Sequence, residues 1–180
     1  FDRSLLGLLG LMGLRSGEAR SLLVGDLNDG KLMVRNGGSG TDTTKTRASR
    51  RVLPVPATAL PWLTALAGDR PQSAPLFPSP RKKDSASAKQ YANQALTRAV
   101  ARANVDRDEP IPRYSAHALR HTFAAISLSE AGADLLAVSR AMGHARPSIT
   151  LDRYGHLAPA GLAPLMARID EVVAPLSRVR

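Results

Sequence analysis

Tyr154 is one of only three tyrosines in 180 residues, and it lies in the stretch GHARPSITLDRYGHL, residues 143–157. A tyrosine that attacks an electrophile must first lose a proton from a group of reference pKa about 10. That chemistry needs cations and a base nearby, and four basic segments offer them. His144 lies in the same stretch. His117 and Arg120 belong to HALRHTFA, three residues apart and so neighbours on a helix surface. Both fall near a helix start, where unpaired backbone N–H groups and the dipole favour an anion, so His117, Arg120 and the helix end can converge on one phosphate. Arg15, in GLRSGEARSLL, suits bidentate contact with phosphate oxygens. Glu18, three positions on, either orients Arg15 or favours the helix N-terminus. Lys45, in TTKTRASRRVLPVP, stands near a hairpin tip with Arg47, Arg50 and Arg51 close behind. That cluster reads either as a DNA-entering loop with a lysine proton donor or as a basic edge that discourages strand association.

Each piece alone has a plainer explanation: Tyr154 as a half-buried packing ring, Arg15 as a surface arginine, His117 and Arg120 as a solvated helix face. His117 and His121, four apart, also raise a zinc reading. The zincin pattern needs a glutamate directly after the first histidine, and here that position is Ala118, so no metal site is expected.

The whole chain sets the context. It carries 25 Lys and Arg against 15 Asp and Glu, a net charge of +10, which points to a polyanion partner with nucleic acid first. The absence of cysteine excludes disulfides and thiolate metal sites and fits a cytosolic protein. No apolar run approaches the roughly 20 residues of a membrane span. The chain starts at Phe1 rather than Met and reads as part of a longer protein.

The elements that must position these residues are mostly helical. A buried helix is expected over residues 1–12, and a second starts with Ser16 as N-cap. Short strands are expected at 31–36, 43–49 and 50–56, giving a small three-stranded antiparallel sheet. A helix between Pro56 and about Ala67 precedes a Pro- and Ser-rich loop, 68–88, that carries Arg81, Lys82 and Lys83. Helices follow at 88–103, 115–131 and 135–142, the last two ended by Gly132 and Gly143, with Asp134 capping the second of these two. Leu119, Phe123 and Ile126 form the expected core stripe of the 115–131 helix. Pro147 opens a short helix that carries Thr150 and Tyr154, and a final helix spans about 160–175. The fold class is α+β, mostly α, in one domain over residues 1–180.

In this order, GLRSGE, TKTRASRRVLPVP, HALRHTFA and MGHARPSITLDRYGH resemble the catalytic domain of tyrosine recombinases, the phage integrase family, and most of all the integrases of mobile elements. The resemblance spans about Leu5 to Leu157. It implies a site-specific recombinase that cuts and rejoins DNA through a 3′-phosphotyrosyl link, with Tyr154 as nucleophile. Arg15 and Arg120 would stabilise charge on the non-bridging oxygens. His117 would be a base or phosphate contact, His144 a further hydrogen-bond partner, and Lys45 the donor to the 5′-oxygen. Five basic groups around one tyrosine would lower the barrier to a phenolate.

Neither cofactor nor metal is implied. The expected partners are double-stranded DNA and other protomers, as a tetramer on paired sites and a monomer without DNA, in the cytoplasm at the nucleoid and with no membrane. Arg47, Arg50, Arg81, Lys82, Lys83 and Arg113 are candidate phosphate contacts. The N-terminal clamp domain usual in this family is not expected within residues 1–180, and residues 158–180 resemble a tail that docks on a neighbouring subunit, with packing on its own domain as the alternative. Leu162, Leu165, Met166 and Ile169 form a stripe along it. The alternatives are a non-catalytic DNA-binding remnant and an unrelated phosphate-handling enzyme.

Overall fold

A computed structural model describes residues 2–35, 50–78 and 88–157, together with Met166, Ala167, Ile169 and Glu171, which are helical. In chain order the elements are α1 (Asp2–Leu11), α2 (Ser16–Arg20), β1 (Leu27–Asn28), β2 (Lys31–Val34), β3 (Arg51–Pro54), α3 (Leu60–Ala67), α4 (Ala88–Ala103), α5 (Ala116–Ser129), α6 (Leu135–Met142) and α7 (Ser148–Tyr154). A 3-10 turn over Gly155–Leu157 follows α7.

The strands form an antiparallel sheet in the order β1-β2-β3. Asp29 and Gly30, both at positive φ, make the two-residue turn that joins β1 to β2, as the twist of such hairpins demands. Along β2, Leu32 and Val34 are buried while Lys31 and Met33 are exposed, the alternation of a sheet with one covered face. The expected sheet is therefore present with a different membership. Leu27–Asn28 supplies a strand that its two residues are too short to announce by alternation, and the expected strand at 43–49 lies outside the described residues.

Two apolar clusters organise the helices. The larger gathers Leu5, Leu8 and Leu9 of α1, Leu32 and Val34 of β2, Leu63 of α3, and Ala92 and Ala95 of α4, with Leu76 and Phe77. The smaller holds Ala124 and Leu128 of α5, Val138 and Met142 of α6, and Tyr154 of α7. Helix α5 bridges them. Its buried face is Ala116, Arg120, Ala124 and Leu128, four residues apart each time and so on one stripe. This corrects the expected stripe: Ile126 is 51% exposed, and Leu119 and Phe123 are partly buried at the flanks. The small alanines let α5 approach its neighbours closely, which leaves Arg120 buried at the seam between the clusters.

The cap of α2 also differs from expectation. Ser16 is the first helical residue and Arg15 the N-cap, because the Glu18 carboxylate accepts from the Arg15 backbone N–H at 2.8 Å. Asp134 caps α6 as expected, its side chain accepting from the Ala137 N–H at 3.0 Å. Among the described residues no helix is long and apolar enough to cross a membrane.

Candidate active site

The site is built on the end of α6. Gly143 takes the left-handed conformation at φ 64°, which glycine adopts without Cβ strain. Its N–H then bonds the Arg140 carbonyl at 2.9 Å, and the His144 N–H bonds the Ser139 carbonyl at 3.1 Å. This is a Schellman closure. It ties the backbone N–H of the residue after the glycine back onto α6 and so fixes where His144 leaves the helix.

The closure leaves three carbonyls of the turn to other donors, and arginines take all three. Arg51, from the start of β3, donates to the Ala141 carbonyl at 2.7 Å. Arg120 of α5 donates to the Met142 carbonyl at 2.7 Å and also to the Gly13 carbonyl. Arg15 donates to the Met142 carbonyl at 3.4 Å and to the Gly143 carbonyl at 3.3 Å. Cations are favoured there because a helix C-terminus carries partial negative charge. Glu18 holds the group together from behind, pairing with Arg15 at 3.0 Å and with both terminal nitrogens of Arg51 at 3.0 Å. Among the described residues, three guanidinium groups thus gather at this helix end with one buried carboxylate that pairs with two of them, a surplus of positive charge that suits an anion. Arg15, with its side chain 43% exposed, is the member open to one.

Charge and burial set the titration of these groups. Burial raises the Glu18 carboxyl, but the Arg51 hydrogen bond and charge, with those of Arg15, outweigh it and hold the group below its ordinary 4.5. Burial, reinforced by the Arg15 charge, lowers Arg120 to about 9, so it stays cationic at neutral pH. His144 is pushed down to about 4, first by burial and then by the charges of Arg120, Arg15, Arg153 and Arg51. It is therefore neutral, and its Nδ1 lies 2.6 Å from the Thr150 hydroxyl. Thr150 is fully buried on the same face of α7 as Tyr154, one turn away.

Tyr154 is buried at 5% exposure within the smaller cluster. Its hydroxyl hydrogen-bonds Nδ1 of His121. The His121 ring stands edge-on to the exposed His117 ring, with centroids 4.7 Å apart. The basic surroundings do not lower the phenol as expected. Burial is the largest influence, and it exceeds the opposing charges of Arg153 and Arg120, so the hydroxyl is held above its ordinary 10.

The helix end next to His117 is also less open than expected. The Ala116 N–H donates to Asn93 of α4 at 2.7 Å, and the Ala118 N–H bonds the Ser115 carbonyl at 2.9 Å. Arg50 and Arg113 are exposed. Lys45, Arg47, Arg81, Lys82 and Lys83 lie outside the described residues.

The family model described as the phage integrase family matches residues 1–160. The chain belongs to the phage integrase family. It is 32% identical over 163 residues to the tyrosine recombinase XerC of Pelobacter propionicus, covering 87% of this chain and 48% of that protein. It is also 32% identical over 169 residues to XerD of Haemophilus ducreyi, covering 89% of this chain and 52% of that one. The chain thus spans about half the length of these curated relatives.

Among solved structures, the Tn1549 transposon integrase in complex with a circular intermediate DNA matches with a TM-score of 0.69 at 22% identity, over 94% of this chain and 57% of that one. The catalytic domain of bacteriophage HP1 integrase matches with a TM-score of 0.61 at 23% identity, over 98% and 84%. At these identities the two structures speak for the fold, the tyrosine-recombinase catalytic fold.

Within this integrase-family chain, Arg15, Arg120, His144 and Tyr154 are brought together around α6 and α7, with His117 beside them through His121. Sequence reasoning placed Arg51 only in a basic cluster and gave His121 no role beyond the rejected zinc pair. Arg51 had a usable signal, since a strand that starts with an arginine beside Val34 directs it at the sheet's covered edge. His121 had one too, four residues after His117 and so on the same side of α5.

Proposed function

We propose that this chain is the catalytic domain of a site-specific DNA recombinase of the integrase type. Tyr154 attacks a DNA phosphodiester, the 5′-oxygen leaves, and the DNA 3′-phosphate is held on tyrosine. The 5′-hydroxyl of another strand then attacks that link and releases the phenol. Bond energy is conserved in the phosphotyrosyl link, so the two steps balance without a nucleotide.

The observation that carries this reading is the convergence of three arginines from α2, β3 and α5 on one helix end, with the Tyr154 hydroxyl and two histidine-bearing elements beside it. Arg15 and Arg120 are assigned to stabilise charge on the non-bridging oxygens, where preorganised charge contributes most to such reactions, Arg15 from its exposed side and Arg120 by its buried charge behind it. His144, neutral and fixed by Thr150, is assigned a hydrogen bond to the same phosphate, and His117 a contact from the exposed side. Lys45 is assigned the proton for the 5′-oxygen. The net charge of +10 supports duplex DNA as substrate, with Arg47, Arg50, Arg81, Lys82, Lys83 and Arg113 as phosphate contacts. Assembly as a tetramer on paired sites, docking of residues 158–180 on a neighbouring subunit, and a place at the nucleoid belong to the same proposal.

The test is covalent capture. The full chain is incubated with a randomised pool of nicked duplexes whose cleavage releases a short oligonucleotide that cannot religate. A denaturant-resistant protein–DNA adduct is expected, and none with Tyr154→Phe. Salt-dependent binding with no adduct would identify a DNA-binding remnant instead.

A further inference from the structure

Tyr154 poses a problem that the arginines do not solve. Its hydroxyl is buried, and burial holds it protonated against the charges of Arg153 and Arg120. An attack on phosphorus needs somewhere for that proton to go. The imidazole that touches the hydroxyl is that of His121.

We propose that His121 is the general base of the cleavage step, taking the Tyr154 proton on Nδ1 as the phenol oxygen bonds to phosphorus. This rests on the recombinase reading and deepens it by naming the proton acceptor. Two observations carry it. His121 lies on α5 and Tyr154 on α7, two helices packed through Ala124, Leu128 and Tyr154 itself in the smaller cluster, so the pair is held by buried packing rather than by a loop. The rings are tilted by 52° with centroids 5.8 Å apart, which suits an in-plane hydrogen bond and not a stacked contact. With the ring proton on Nε2, the tautomer this assignment takes, Nδ1 accepts from the phenol O–H.

The charge state agrees. Burial first, then Arg153 and Arg120, push His121 below its ordinary 6.5, so at neutral pH the ring is free to accept. His117 stands edge-on behind it and leaves the hydroxyl contact to His121.

The proton balance closes over both steps. In cleavage the O–H proton moves to Nδ1, the phenol oxygen bonds phosphorus, the bond from phosphorus to the 5′-oxygen breaks, and that oxygen takes a proton from the leaving-group acid assigned to Lys45. In rejoining, the incoming 5′-hydroxyl returns its proton to that acid. The phenol leaves phosphorus and recovers its own proton from His121. The enzyme ends as it began.

The experiment measures single-turnover adduct formation by the full chain on the captured nicked duplex. It compares wild type, His121→Asn and His121→Ala, each with tyrosine or the more acidic 3-fluorotyrosine at position 154. Asparagine can accept the hydrogen bond but cannot take the proton. His121→Asn is expected to slow cleavage by on the order of a hundred-fold or more. Fluorination is expected to recover a substantial part of that loss while changing wild type little. A duplex with sulfur in place of the bridging 5′-oxygen, whose leaving group needs no acid, is expected to leave the His121→Asn defect in place.

Cleavage by His121→Asn at the wild-type rate would overturn the proposal, as would a defect that fluorination leaves untouched, or faster cleavage in His121→Ala. Absence of adduct from wild type would overturn the recombinase reading itself and this assignment with it.

Discussion

Arg15 and Arg120 donate to the same carbonyl, that of Met142, at 3.4 and 2.7 Å. Two like charges from distant parts of the chain are thereby held side by side by a helix end rather than by a carboxylate between them. The carbonyls of α6 orient both guanidinium groups without neutralising them. A full counter-charge in that position would compete with the phosphate that the proposed reaction brings there.

Glu18 supplies compensation from behind, and its loss should be felt in stability. Arg51 and Glu18 are both nearly buried, at 9% and 2% side-chain exposure. Breaking a buried pair from one side costs about 3–5 kcal/mol because the remaining group is left uncompensated. Arg51→Met is expected to fall toward the low end of that range, since Glu18 keeps Arg15. Urea unfolding of the variant against wild type measures this.

The same carboxylate predicts how acid acts on the fold. Glu18 is held below its ordinary 4.5 in the folded chain. A depressed carboxylate contributes stability above its unfolded pKa and loses it as pH falls through the folded value. Stability should therefore decline below about pH 4.5, and Glu18→Gln should remove that part of the decline while lowering stability at neutral pH. Thermal melts of the two proteins across pH 3 to 7, on the scale where these carboxylates titrate, decide it.

His144 acts in a higher window with the same sign. Its folded value of about 4 lies below its ordinary 6.5, so the unfolded chain binds the extra proton first and stability is lost as pH falls between the two. Its imidazole resonances should titrate near 4 in the free chain and move upward when inorganic phosphate occupies the site. Thr150→Val removes the hydroxyl on Nδ1. It should cost about 1–3 kcal/mol and slow adduct formation without weakening DNA binding.

Gly13 seats Arg120 through its carbonyl and stands at φ +64°. A Cβ there would lie 2.4 Å from a ring carbon of Phe123. Gly13→Ala meets both backbone strain and that overlap, and is expected to destabilise the fold by about 1–3 kcal/mol. Because the Phe123 ring must move and the Gly13 carbonyl that seats Arg120 moves with the strained backbone, adduct formation should fall more than stability alone explains, which parallel unfolding and capture assays would show.

Much of this arrangement is legible in the sequence because local rules coincide with the site. Gly143 followed by His144 is a helix stop that also fixes where the histidine leaves the helix. Asp134 and the helix over Leu135–Met142 follow from capping and composition. What was hidden is tertiary. Ser16 resembles a better cap than Arg15 until Glu18 is seen reaching back to the Arg15 N–H. Leu119, Phe123 and Ile126 outscore a stripe containing Ala116, Arg120 and Ala124 on hydrophobicity. The close approach that alanines permit is what buries the arginine. The phenol's upward shift was invisible because charge can be counted along a chain and burial cannot.

The proposed reaction requires a covalent bond between Tyr154 and DNA. The most direct measurement is mass spectrometry of the denatured adduct after nuclease digestion. A nucleotide 3′-phosphate attached to the peptide containing Tyr154, absent from Tyr154→Phe, is the expected result. An adduct on any other residue, or one that survives Tyr154→Phe, would rule out Tyr154 as the nucleophile.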